Sequence, residues 1–262
     1  MKKIIFFDID GTLITEDEHK IIPESTRDAI KKARENGHLT FINTGRTIFN
    51  IGEEIRSLGF DGYLCGCGTY IEYHDKELFY NKINQSYCRR LSEKIRECGA
   101  IPVYERRDCL FFDPQFDNTS EIKEFKEVFL TSDIPTNRTV NDEDFSFDKF
   151  VVYTNENTDV QLFRNIAGKD FELIDRGNGF FENVPKGFSK ATAIDMILKM
   201  LDIPLENAYA IGDSTNDLPM LKDVPNSIAM GNSEKIYPYV SYVTKPIMED
   251  GIEHALKHYG II

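Results

Sequence analysis

The chain has 262 residues, 41% of them hydrophobic, enough for one large or two modest cores. A formal net charge of −13 disfavours nucleic acid and anionic membrane as partners, because phosphate backbones are held by clustered Lys and Arg. The five cysteines (Cys65, Cys67, Cys88, Cys98 and Cys109) are odd in number and lack paired C-x-x-C spacing, which argues against a disulfide framework or a zinc site.

Met1-Lys2-Lys3 imitates the start of a signal peptide, but Asp8 interrupts the apolar run after four residues, and no segment approaches membrane-spanning length. The expectation is a cytoplasmic protein, in which Asn118-Thr119-Ser120 is a chance glycosylation match.

Ile4-Ile5-Phe6-Phe7 reads as a strand buried on both faces, and it ends abruptly in Asp8-Ile9-Asp10-Gly11-Thr12. Pro23-Glu24-Ser25-Thr26 opens a helix to about Asn36, with Ala29, Ile30 and Ala33 inward and Gly37 as its stop. Leu39 to Asn43 is a second strand, followed by Thr44-Gly45-Arg46 and a helix through Ile51, Ile55 and Leu58. Gly62 to Cys65 makes a third strand, and a hairpin of 70–73 with 77–81 follows the turn Gly66-Cys67-Gly68-Thr69. Strand–helix alternation of this spacing predicts a parallel sheet.

The pattern changes between 84 and 185. It predicts helices at 86–98, 119–130 and 158–167, and strands at 101–106, 109–112, 149–154, 171–174 and 179–183. Together these make an α+β unit with an antiparallel sheet. The acid-rich stretch Asn141–Asp148 reads as a solvated loop. The parallel style then returns with helix 190–201, strand 207–211, helix 215–222, strand 227–230, helix 233–239, strand 240–244 and helix 250–258. The fold class is therefore α/β, a doubly wound parallel sheet of residues 1–83 and 185–262, with residues 84–184 inserted as a second domain.

Two carboxylates at a buried strand end are costly unless a cation neutralises them, and hard oxygen donors with room for phosphate suit Mg2+. A calcium loop is excluded because Thr12 and Leu13 stand where ligand and glycine would be needed. Gly11 permits close backbone approach and an anion-binding nest. Tyr209 to Gly212 repeats the logic, an apolar strand ending in Asp213-Ser214-Thr215-Asn216-Asp217. Asp213 is suited to complete a Mg2+ shell with Asp8 and the Asp10 backbone carbonyl, although Asp213 or Ser214 alone reads equally well as a helix N-cap. Asn216 suits a phosphate contact, and Asp217 the support of its neighbours.

Thr44 and Gly45 offer a hydroxyl and backbone N–H groups to phosphoryl oxygens, or simply form a loop. Lys190, after the expected N-cap Ser189, would meet an anion at a helix start, or be solvated. His254 and His258 lack the Glu of a zinc helix and read as a solvated face, as Arg106-Arg107 reads as a strand edge.

These stretches resemble, in order, the haloacid dehalogenase-like hydrolase superfamily. Asp8-Ile9-Asp10-Gly11-Thr12, Thr44-Gly45-Arg46, Lys190 and Gly212-Asp213-Ser214-Thr215-Asn216-Asp217 match the four motifs of its aspartyl-phosphate phosphatases. The insertion between the second and third motifs is similar to the type IIB cap of the Cof-like subfamily, as are Pro185 to Lys190 and Glu249-Asp250-Gly251. One departure is Cys67-Gly68-Thr69, where relatives usually carry Asn-Gly-Ala.

The resemblance implies a Rossmann-like core and a Mg2+-dependent phosphatase acting on small phosphorylated metabolites. In that reading Asp8 is the nucleophile and Asp10 the general acid and base. The metal ligands are Asp8, Asp10 and Asp213; phosphate is held by Gly11, Thr44, Gly45, Lys190 and Asn216; Asp217 stands behind them. A phosphotransferase or phosphomutase of the same superfamily, and an idle phosphometabolite-binding regulator, remain as alternatives.

Overall fold

The computed structural model describes residues 2–129 and 134–262. Strand β1 (Ile4–Phe7) leads through α1 (Glu24–Glu35) to β2 (Leu39–Asn43), then α2 (Glu53–Arg56), β3 (Gly62–Cys65) and the hairpin of β4 (Tyr70–Tyr73) and β5 (Lys76–Tyr80). Next come α3 (Gln85–Glu97), β6 (Ile101–Arg106), β7 (Cys109–Phe112), α4 (Ser120–Glu127), β8 (Lys149–Tyr153), α5 (Val160–Ala167), β9 (Phe171–Asp175) and β10 (Phe180–Pro185). The chain closes with α6 (Lys190–Leu201), β11 (Ala208–Gly212), α7 (Leu218–Asp223), β12 (Asn226–Ala229), β13 (Tyr242–Val243) and α8 (Gly251–His258). No helix among the described residues is long and apolar enough to cross a membrane.

Two compact units result. Unit 1 comprises Met1–Arg46, Ile51–Tyr80 and Phe188–Ile262; unit 2 comprises Thr47–Asn50 and Asn81–Gly187. The sheet of unit 1 runs β13-β12-β11-β1-β2-β3-β4-β5, parallel as far as β3 and antiparallel through the edge hairpin. Side chains alternate along each strand. Ile4 and Phe6 therefore face one way, into a cluster with Ile194, Ile197 and Leu198 of α6 and Met220 and Leu221 of α7. On the same chain, α1 packs against β2 and α8.

The sheet of unit 2, β7-β6-β8-β10-β9, is antiparallel throughout. One face carries Tyr104, Phe150 and Val152 against Leu91 and Ile95 of α3 and Phe163 of α5. The other carries Val103, Phe112 and Val151 against Ile122 of α4.

Several expected elements differ in form. The helix expected through Ile51 and Leu58 is a 3-10 turn, Ile48–Asn50, and a single-turn α2, because Gly52 between them is extended (φ −68°, ψ 165°). The helix expected at 215–222 starts as a 3-10 turn, Thr215–Asp217, and becomes helical at Leu218 with Pro219 in its first turn, where a missing N–H costs nothing. Residues Glu234–Tyr239 are 3-10 with Pro238 inside. Helix α4 is shorter than 119–130, whose last position lies outside the described residues.

The loop 141–148 is not solvated throughout. Phe145 and Phe147 are fully buried in the core beneath α3, Phe147 stacked on Tyr104 and Phe145 edge-on to Tyr104 and Phe111. The acids around them concealed two aromatic anchors.

Candidate active site

Strand β1 lies where the strand order reverses, with β11 on one side and β2 on the other. At such a switch point the two following loops part and leave a crevice at the strand ends. The Asp8 N–H donates to Ile211 O at 3.0 Å, so the turn after β1 is held against the exit of β11. Residues 9–14 then fold back on themselves, the Gly11 N–H donating to Ile14 O at 2.9 Å. Gly11 has φ +78°, and a Cβ there would lie 2.4 Å from Asp213 Oδ2. Any side chain would be strained and would strike the carboxylate.

Carboxylate oxygens of Asp8, Asp213 and Asp217 all lie within 4.8 Å of one another. Asp8 is 4% exposed. Burial and the neighbouring Asp217 charge push its carboxyl up to about 7, against the pull of Lys190. Burial, Asp8 and Asp217 push Asp213 up to about 8. The Thr12 hydroxyl donates to Asp213 Oδ1 at 3.1 Å.

Lys190, the first residue of α6, is 2% exposed and not solvated. Its Nζ donates to Asp8 Oδ1 and to Asp217 Oδ1, both at 2.5 Å. Burial alone would lower the Lys190 pKa, but Asp217 and Asp8 together raise it, so the ammonium stays charged. Ser189 caps α6 as expected, its Oγ accepting from the Thr192 N–H at 3.1 Å while Thr192 Oγ1 accepts from the Ser189 N–H at 2.9 Å. Asp217 is fully committed, since its Oδ2 accepts from the N–H groups of Asp213 (2.9 Å) and Ser214 (3.1 Å). The side chain of Asn216 accepts from the Ser214 hydroxyl.

At the end of β2, Thr44 is buried and its Oγ1 accepts from the Arg46 N–H at 3.2 Å. Arg46 was not among the expected site residues, yet it clasps Asp10 in two places, Nε to Oδ2 at 2.9 Å and Nη2 to Oδ1 at 2.6 Å. The carboxylate of Asp10 is thus engaged by Arg46 and is not one of the acidic trio. The signal for Arg46 was its place directly after Thr44-Gly45, within reach of the neighbouring strand end. Cys67 adopts φ 54°, ψ 38° and donates its N–H to Thr44 O at 3.0 Å. This left-handed geometry suits an Asn better than it suits Cys.

On the terminal helix His258 is exposed and His254 half-buried, and both rings lie against Tyr242. The His258 ring stacks on Tyr242 at 3.8 Å, and His254 Nδ1 lies 3.1 Å from the Tyr242 hydroxyl. Arg106 is paired with Asp108 and Asp144.

Residues 5–256 match the family described as haloacid dehalogenase-like hydrolase, and the chain belongs to it. The chain is similar to the 5-amino-6-(5-phospho-D-ribitylamino)uracil phosphatase YcsE of Bacillus subtilis (strain 168), 25% identical over 98% of this chain and 95% of that one. Among solved structures it is similar to the HAD subclass IIB sugar phosphatase BT4131 (29% identity, all of both chains, TM-score 0.81). It is also similar to the HAD phosphatase BT1666 from Bacteroides thetaiotaomicron (26% identity, all of this chain and 96% of that one, TM-score 0.84). The chain is an enzyme of the phosphatase type, Cof-like, and its solved relatives include HAD subclass IIB phosphatases.

Proposed function

We propose that the protein is a Mg2+-dependent phosphatase that hydrolyses small phosphorylated metabolites, sugar phosphates foremost, through an aspartyl-phosphate on Asp8. The observation that carries this reading is the buried Asp8 carboxylate, held by Lys190 Nζ at 2.5 Å beside Asp213, at the reversal point of the sheet. The sugar phosphatase BT4131 supports the substrate class.

The residues fit a Mg2+ ion. The donors are hard oxygens, and burial with the charge of neighbouring carboxylates (Asp217 for Asp8, Asp8 and Asp217 for Asp213) pushes both groups up, which a cation would relieve. Asp8, Asp213 and the Asp10 carbonyl would hold it, since Asp217 is spent on Lys190 and two N–H groups. Bound there, the ion supplies charge neutralisation for the phosphoryl oxygens.

The chain's own residues do the rest. An Asp8 oxygen attacks phosphorus as the bond to the leaving oxygen breaks, and Asp10 delivers a proton to that oxygen. Asp10, its carboxylate oriented by Arg46, then takes a proton from water as that water attacks the aspartyl-phosphate. Phosphate leaves and Asp8 is restored. Lys190 offsets the repulsion between an anionic nucleophile and an anionic substrate, and the Thr44 hydroxyl donates to a phosphoryl oxygen, whereas the Gly11 N–H expected for that role is taken by Ile14 O.

The test is a panel of phosphorylated sugars, nucleotides and cofactors assayed with Mg2+, with and without EDTA, alongside Asp8→Asn. Turnover should require Mg2+ and vanish in Asp8→Asn while its circular dichroism is unchanged. Activity of Asp8→Asn near that of the parent overturns the mechanism.

A further inference from the structure

Asn43, the last residue of β2, is completely buried. Its Nδ2 donates to the backbone carbonyl of Lys190 at 2.9 Å and lies 3.4 Å from Met220 Sδ in α7. Its Oδ1 accepts from no group among the described residues. The surroundings are apolar: its strand neighbour Phe41 and its register partner Leu64 both belong to the core cluster under α6 and α7. A buried acceptor without a partner is unfavourable, and a leucine of similar volume would suit such a place better. The amide is therefore accounted for by what its N–H groups hold.

Those groups touch the two helices that meet at the site. Lys190 opens α6, and Met220 stands three residues after Asp217, the other carboxylate that Lys190 reaches. At a helix start the groups without intrahelical partners are N–H donors, one of which Ser189 caps, while the Lys190 carbonyl keeps a second lone pair for a donor from outside the helix. The tie from β2 fixes the Lys190 carbonyl from the core side, on the strand that also delivers Thr44.

We propose that Asn43 is a positioning residue for Lys190, setting the backbone from which the ammonium meets Asp8 and Asp217. The inference rests on the reading of Lys190 given above. Groups that orient a reacting side chain from behind typically matter by about 10–100-fold.

The experiment is a double-mutant cycle of Asn43→Leu and Lys190→Ala, using para-nitrophenyl phosphate with Mg2+, and Asn43→Ser as a second variant. Asn43→Leu should lower kcat about 10–100-fold with KM little changed, while its melting temperature holds or rises. In the Lys190→Ala background the same substitution should change kcat by less than about twofold, because the group it positions is gone.

A kcat within about threefold of the parent, or losses that multiply across the cycle, would overturn the proposal. So would unfolding of both Asn43 variants, which would make the residue structural. If Lys190→Ala itself keeps full activity, the reading of the site fails. If Lys190→Ala is crippled while Asn43→Leu is not, only this inference fails.

Discussion

Lys190 is costly in every respect except one. It is buried, and it sits at a helix N-terminus, where the dipole disfavours a cation by about 0.3–1 kcal/mol. Two carboxylates at 2.5 Å offset both costs, and one of them is the proposed nucleophile. Four residues earlier, Lys186 is exposed and belongs to unit 2, where its Nζ donates to Gly168 O at 2.7 Å. Lys190→Ala should therefore lower turnover by about 10²–10³-fold, the usual loss when a preorganised charge donor is removed. Lys186→Ala should change it by less than about tenfold. Steady-state rates of the two variants on one substrate decide, and a crippled Lys186→Ala would move the third motif by four residues.

Loop 141–148 shows how an element can be anchored by residues that its composition hides. Asp142 and Asp144 face outward and pair with Arg138, while Asp148 accepts from the Arg107 N–H at 2.6 Å. Between them Phe145 and Phe147 reach the core and meet Tyr104 at 5.3 and 4.9 Å between ring centroids, Phe145 edge-on and Phe147 stacked. Phe147→Ala should cost about 3–5 kcal/mol, the range for emptying a buried aromatic site. Glu143→Ala, on the exposed side, should stay within about 0.5 kcal/mol. Urea unfolding followed by near-ultraviolet circular dichroism would measure both, and equal stabilities would mean that the loop is not an anchor.

At the scale of the molecule, the two units differ in how they bury charge. Unit 1 concentrates acid at the candidate site, around one lysine. Unit 2 balances its buried charges on one sheet face, where Lys149 lies 2.6 Å from Glu182 and 3.6 Å from Glu105, and Arg176 also pairs with Glu182. Burial pushes the Glu182 carboxyl up, but Lys149 and Arg176 overcome it and hold it at about 2.

Because the folded pKa lies below the ordinary 4.5, Glu182 contributes stability that is complete above about pH 4.5 and lost as pH falls toward 2. The melting temperature of unit 2 should fall across that window. In Glu182→Gln it should start lower at neutral pH and fall less steeply. Parallel curves from calorimetry would show that the carboxylate is not the titrating group.

The apolar run of β1, the Asp8-Ile9-Asp10-Gly11 turn, the second acidic strand end and the Ser189 cap were legible because each is a local matter. A strand needs its period, a cap its hydroxyl, and a motif its spacing. The same local signals predicted α6 over its whole length and the change of style at the inserted unit.

What depended on partners distant in sequence was decided by the tertiary structure. Arg46 meets Asp10 only because β1 and β2 lie side by side, and Asn43 meets Lys190 across 147 positions. Phe145 and Phe147 are buried only because α3 and the sheet leave space for them. Asp217 sits within reach of Asp8 because the strand order reverses between β1 and β11. Chain proximity carries no trace of that reversal, because the reversal arises from how helices cover both faces of the sheet.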